Sequence, residues 1–136
     1  EQLHGVDIDL NEAPDALPMM AVLGALAEGK TRLWNVAHAR LKETDRIAVM
    51  CSELQKLGAD VEEKEDGLLI QGGRLRGATV NGHFDHRVVM ALTVAGTQAA
   101  GTTIVETAEA TAVTFPAFAN LMRSVGGQLE IDERGD

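Results

Sequence analysis

The sequence predicts an α/β fold, and three features carry that prediction. Two wholly apolar helical runs, PMMAVLGALA over Pro18–Ala27 and RVVMALTVAGTQA over Arg87–Ala99, each pass through a glycine into a β-like run. Two further helical stretches are amphipathic and again lead through glycine to a strand with charges on alternate positions. The order of buried helix, strand, amphipathic helix and strand therefore occurs twice. Gly29 and Gly101 stand 72 residues apart, and Gly58 and Gly126 stand 68 apart. Repeated supersecondary units of this kind arise where one unit cannot bury its own apolar face.

Taken in chain order, Gly5–Leu10 reads as the first strand. The run over Pro18–Ala27 has no polar face, so it is expected to be buried on all sides. Gly29 is the expected left-handed stop, followed by the strand TRLWN. From Thr44 to Leu57, Ile47, Met50, Cys51, Leu54 and Leu57 follow helical spacing, and LGADVEE continues as a strand. Asp66-Gly67 is a hairpin-turn dipeptide leading into Leu68–Gln71. Ala78–Val80 opens the second unit, followed by the apolar helix 87–99, Gly101 and the strand TTIVE. An amphipathic helix over Pro116–Val125 and a strand within VGGQLEI complete it. No linker separates the units, so a single domain of two repeats, about 1–71 and 72–136, is expected.

Composition narrows the function. Of the aromatics there are three Phe, one Trp and no Tyr, so the core must rest on Ala, Leu, Val and Met. A net charge of −9 argues against a nucleic-acid partner, which needs a basic face. It leaves room for a local basic pocket that takes a small anion. The single Cys fits a reducing cytoplasm. No apolar run reaches the length of a membrane span, and no signal-like segment opens the chain. The chain starts without Met, as a fragment or trimmed chain would.

Three polar clusters lie at loop-to-helix junctions: Asn11–Asp15, Arg40–Arg46 and Asp85–Arg87. Lys42, Arg46 and Arg87 fall in or near first turns of helices, where the partial positive charge makes a cation mildly unfavourable. A bound anion would turn this penalty into a binding site. Ordinary surface pairing with Glu43, Asp45 and Asp85 accounts for the same spacing equally well. Among His83, Asp85 and His86 there are metal-ligand types, but no clear third and fourth ligand appears elsewhere, so no metal is expected. Cys51 reads as a core thiol and Trp34 as a packing residue.

PDALPMMAVLGALAEGKT, RLKETDRI, DHRVVMAL and TFPAFANL, in this order and spacing, resemble the C-terminal part of the 5-enolpyruvylshikimate-3-phosphate synthases. The combination of K-E-T-D-R with D-H-R is the specific element. The resemblance spans essentially the whole chain. It implies a two-domain enolpyruvyl transferase whose domains are inside-out α/β barrels of three βαβαββ units, with the site in the cleft between them. This chain would be two of those units. The implied reaction moves the enolpyruvyl group of phosphoenolpyruvate onto the 5-hydroxyl of shikimate 3-phosphate and releases phosphate, without metal or organic cofactor.

Position by position, the resemblance makes Asp15 the carboxylate that binds the shikimate hydroxyls and accepts the 5-hydroxyl proton. Glu43 becomes the acid/base near the phosphoenolpyruvate methylene. Lys42, with His38 in place of another polar residue, would contact shikimate 3-phosphate. Arg46 and Arg87 would clamp phosphoenolpyruvate, with Asp85 and His86 beside them. Val113 stands where the family usually has Lys, which removes a phosphoenolpyruvate contact. The implied partners are the two substrates and either the missing N-terminal domain or a second copy of the chain. A non-catalytic phosphometabolite-binding module of the same fold is the alternative. Because equivalent helix ends should point one way, Asp15, Lys42, Glu43, Arg46 and Arg87 are expected on one face.

Overall fold

A computed structural model of the chain describes residues 2–110, 117–124 and 127. The first half runs β1 (Asp7–Asp9), α1 (Leu17–Leu26), β2 (Lys30–Trp34), α2 (Arg46–Lys56), β3 (Asp60–Lys64) and β4 (Gly67–Gln71). The second runs β5 (Thr79–Asn81), α3 (His86–Gln98), β6 (Ile104–Glu106) and α4 (Phe118–Ser124). Short 3-10 turns at Pro14–Ala16 and Ala37–Leu41 precede α1 and α2. The fold is α/β. The strand expected within VGGQLEI lies outside the described residues, Gly127 excepted.

The first four strands form one sheet in the order β1-β2-β4-β3. β1 pairs parallel with β2, Asp7 opposite Arg32, while β4 lies antiparallel between β2 and β3. β5 and β6 form a parallel pair of their own, Thr79 opposite Ile104. The interval of 72 recurs in this geometry. Asp7 and Thr79 open equivalent strands, their partners Arg32 and Ile104 are 72 apart, and the left-handed residues Asn35 and Thr107 are too. Gly24 presses on Thr31 and Gly96 on Thr103, in both cases so closely that an added methyl would come within 3.0 Å of the threonine Cβ.

α1, α2 and α3 pack on one another behind the sheet. Leu17, Val22, Ile47, Met50, Leu54, Leu57, Leu68, Val88 and Leu92 are fully enclosed there. Short aliphatic side chains fill this core as the composition requires, and the Cys51 thiol sits in it, its pKa pushed up by burial.

Four expectations need correction. The apolar helices are not buried on all sides: Leu23 of α1 is exposed, and α3 encloses only Val88, Val89, Ala91, Leu92 and Ala95. An open groove floored by Leu23, Leu26, Leu75 and Val94 runs along them, since nothing among the described residues covers that side. Gly29 and Gly101 do have positive φ, but α1 and α3 stop earlier, at extended Ala27 and Ala99, so these glycines turn the chain into the strand instead. The left-handed stop belongs to Gly58, whose N–H donates to Gln55 O while Ala59 N–H donates to Leu54 O. The hairpin loop is Glu65-Asp66, one residue earlier than expected, because Gly67 already pairs with Lys64. Gly67 is required for closeness: a Cβ there would lie 1.8 Å from Leu33 O on the neighbouring strand. Trp34 is only partly buried at the end of β2 and stands outside the core, with its indole N–H donated to Asp7 at 2.6 Å and the Arg32 guanidinium 4.6 Å over its ring.

Candidate functional site

Each of the three polar clusters is delivered by a helix start. The 3-10 turn at Pro14–Ala16 holds Asp15 directly before α1. Asp45 caps α2, accepting from Ala48 N–H at 3.1 Å, and so sets Arg46 as its first residue. Asp85 caps α3, accepting from the N–H groups of Arg87 and Val88. α1, α2 and α3 are mutually packed, and their starts meet.

At the meeting point lies the Arg46 guanidinium, only 1% exposed. Its Nε donates to Asp85 Oδ2 at 2.8 Å and its Nη2 to Asp85 Oδ1 at 3.1 Å, a two-pronged bond to a carboxylate with no exposure at all. The remaining donors reach Asp15 at 3.0 Å and Glu43 at 3.2 Å. Lys42 Nζ stands 3.6 Å from Asp15, Arg87 Nη2 stands 3.8 Å from it, and His86 Nδ1 lies 3.4 Å from Glu43. Seven residues from three chain segments thus form one network. Surface pairing does not describe it, because its central pair is buried. His38 stands apart: its Nε2 lies 3.3 Å from the Asn11 carbonyl oxygen, outside this network of contacts.

Three cations, Lys42, Arg46 and Arg87, face three carboxylates, Asp15, Glu43 and Asp85. Burial alone would raise the Asp15 pKa, but Arg87, Lys42 and Arg46 outweigh it and hold the carboxyl below its ordinary value. Burial would likewise lower the Arg46 pKa, and Asp85 above all, then Glu43 and Asp15, raise it instead. Glu43, Asp85 and His86 do bring three ligand-type atoms within 4.8 Å of one another, supplying the third ligand type absent from the sequence reading. Arg46 already fills that space, and both Asp85 oxygens are committed to it.

Two residues without a role in the site on the sequence reading, Arg40 and Glu53, support the loops. Arg40 donates to the Glu65 and Lys64 carbonyls at 3.1 and 2.8 Å and pairs with Asp45 and Glu63 at 2.8 Å, which ties the Lys42–Glu43 segment to the β3–β4 hairpin. Glu53 is 2% exposed on α2 and accepts from Asn81 N–H at 2.7 Å and from Lys56 at 2.9 Å. Burial would raise its pKa, but the Asn81 amide, then Lys56 and His83, pull it below the ordinary value. The signal was present: Arg46 and Glu53 share helical spacing with the apolar face. Between Asn81 and Asp85 the chain passes through His83 and Phe84 at φ of +54° and +56°, a conformation that costs a non-glycine residue roughly 1–2 kcal/mol.

The two depressed carboxyls fix how stability responds to acid. Their folded pKa values lie below the unfolded ones, so their stabilisation is complete above the ordinary values of 3.8 for Asp15 and 4.5 for Glu53. It is lost as the pH falls through the folded values. Urea midpoints are therefore expected to hold level at mildly acid pH and to drop below about pH 4.5. In Glu53→Gln protein that drop should be shallower.

Residues 1–122 match the family model described as EPSP synthase (3-phosphoshikimate 1-carboxyvinyltransferase). The chain is 54% identical over 131 residues to the 3-phosphoshikimate 1-carboxyvinyltransferase of Ruminiclostridium cellulolyticum, covering 96% of this chain and 31% of that protein. With the enzyme of the same name from Methanocaldococcus jannaschii the identity is 50% over 130 residues, covering 95% and 30%. A solved structure of EPSP synthase from Acinetobacter baumannii superposes with a TM-score of 0.90 at 32% identity, covering 97% of this chain and 32% of that one. The chain spans about a third of the length of these relatives.

Proposed function

The chain belongs to the EPSP synthase family, and from that premise we propose that it is the C-terminal part of a two-domain 3-phosphoshikimate 1-carboxyvinyltransferase. In this reading it is one domain of two repeats, about 1–71 and 72–136, and carries roughly half of the site. The carrying observation is the convergence of Asp15, Lys42, Glu43, Arg46, Asp85, His86 and Arg87. The reaction is the transfer of the enolpyruvyl group of phosphoenolpyruvate to the 5-hydroxyl of shikimate 3-phosphate. It needs no metal or organic cofactor. Among the described residues no helix is long and apolar enough to cross a membrane, and we place the reaction in the cytoplasm.

Asp15 accepts the 5-hydroxyl proton as that oxygen bonds to the enolpyruvyl carbon, and Glu43 handles the proton at the methylene carbon. Lys42 and His38 hold shikimate 3-phosphate. Arg46 and Arg87 face phosphoenolpyruvate, with Asp85 fixing Arg46 and His86 beside Glu43. A carboxylate ringed by three cations is a weak base, so Asp15 needs its partners drawn away before it can take a proton. Polyanionic substrates do this by engaging Lys42 and Arg87, which raises the basicity of Asp15 at the moment of use.

A balanced count of three cations and three carboxylates leaves no surplus charge for a polyanion, and this supports weak binding by the chain alone. Phosphate release from the two substrates tests the proposal. The purified chain should give none, and supplying the N-terminal remainder of a relative should restore it. Binding of both substrates without turnover in any combination would favour the second reading, a non-catalytic phosphometabolite-binding module. Val113, at the position of the usual family Lys and outside the described residues, supports that second reading.

A further inference from the structure

We propose that Glu53 is a positioning residue whose buried carboxylate holds the Asn81–Asp85 turn and so sets where Asp85, His86 and Arg87 meet Arg46; this rests on reading that network as the site. Glu53 touches none of the seven network residues through any contact described above. It lies two helical turns after Arg46 on α2, so one rigid helix grips the turn at both ends. Arg46 holds Asp85 at 2.8 Å, and Glu53 holds the Asn81 N–H at 2.7 Å, with His83 Nε2 3.5 Å from its second oxygen.

Between those grips, His83 and Phe84 both lie in the left-handed region. Their N–H groups are satisfied by the Asn81 side chain at 2.7 Å and the Thr107 hydroxyl at 3.1 Å. Such a pair persists only while its surroundings over-determine it. Released at Asn81, the turn relaxes by rotating its peptides, and Asp85 is the next residue along. Asp85 Oδ1 must at once cap α3 and accept from Arg46, so it has no freedom to follow such a movement. Pairing with Lys56 does not explain the burial, because the Lys56 side chain is half-exposed and needs no enclosed partner.

The test is nuclear magnetic resonance of the 136-residue chain, reading the Arg46 Nε–H. In Glu53→Met protein its hydrogen exchange should accelerate about tenfold or more and its resonance should move. Glu53→Gln keeps an acceptor for Asn81 N–H and should stay within about threefold of the unsubstituted chain. Lys56→Met should leave the signal in place. A folded Glu53→Met protein with an unchanged Arg46 Nε–H would overturn the proposal. If that variant does not fold, native-state exchange of the unsubstituted chain decides instead. Asn81 N–H and Arg46 Nε–H should then open in one step with one denaturant dependence, and separate steps refute the coupling. Inorganic phosphate added to the unsubstituted chain checks the site reading independently. Unmoved Lys42 and Arg87 signals would sink that reading while the Glu53 coupling stood.

Discussion

Replacing Arg46 with Leu should cost the chain about 3–5 kcal/mol of folding stability, the range found when one partner of a buried ion pair is removed. The loss does not come from a strong attraction given up. It comes from Asp85, which has no exposure and would be left charged with only the α3 amides as partners. Against the roughly 5–15 kcal/mol that holds a typical domain together, this approaches unfolding. Urea denaturation of Arg46→Leu, and of the double variant with Asp85→Leu, separates the two contributions. The double variant should recover much of the loss, less about 1 kcal/mol for the missing helix cap. A single variant less than about 1 kcal/mol below the parent would mean that water reaches Asp85 and the pair is not buried in solution.

The second large effect is on chemistry. On the proposed reading, in enzyme assembled from this chain and the N-terminal remainder of a relative, Asp15→Asn should lower turnover about 100- to 10,000-fold, the usual worth of a positioned proton acceptor. That corresponds to about 3–5 kcal/mol of barrier. Asn keeps the shape and a hydrogen-bonding oxygen but takes no proton, so kcat should fall far more than KM rises. Folding should lose only the modest contribution that Asp15 also loses on protonation, since its side chain is half-exposed. A fall confined to KM would make Asp15 a binding residue only.

Much of this was legible in the sequence because it is local. Apolar runs bounded by Gly29 and Gly101 give α1 and α3, whereas Asp45 and Asp85, weighed in the sequence only as partners of nearby cations, turn out to cap α2 and α3. Seven of the eight singled-out side chains meet because three helix starts converge, a relation that the repeat itself suggests. What the sequence concealed depends on tertiary distance. Asp85 looks like a surface charge until α2 and α3 enclose it. Arg46 and Glu53 share helical spacing with the apolar face of α2, but their partners appear only with Asp85 and Asn81 beside them. Gly67 passes for a turn residue, whereas its lack of a side chain serves the approach of Leu33 O.

The Asp15 pairings also bear on which solutes the cations can recognise. Lys42 and Arg87 rest 3.6 and 3.8 Å from a carboxylate carried on their own chain. A tethered competitor acts at an effective concentration of about millimolar or more, however dilute the protein. Chloride or a simple monocarboxylate must displace Asp15 from solution and brings no more charge than Asp15 does, so it has no electrostatic advantage over it. A phosphate ester brings more charge and several oxygens at once, enough to engage both cations together. The protein's own acid thereby acts as a reference ligand, and only solutes that outbid it are admitted.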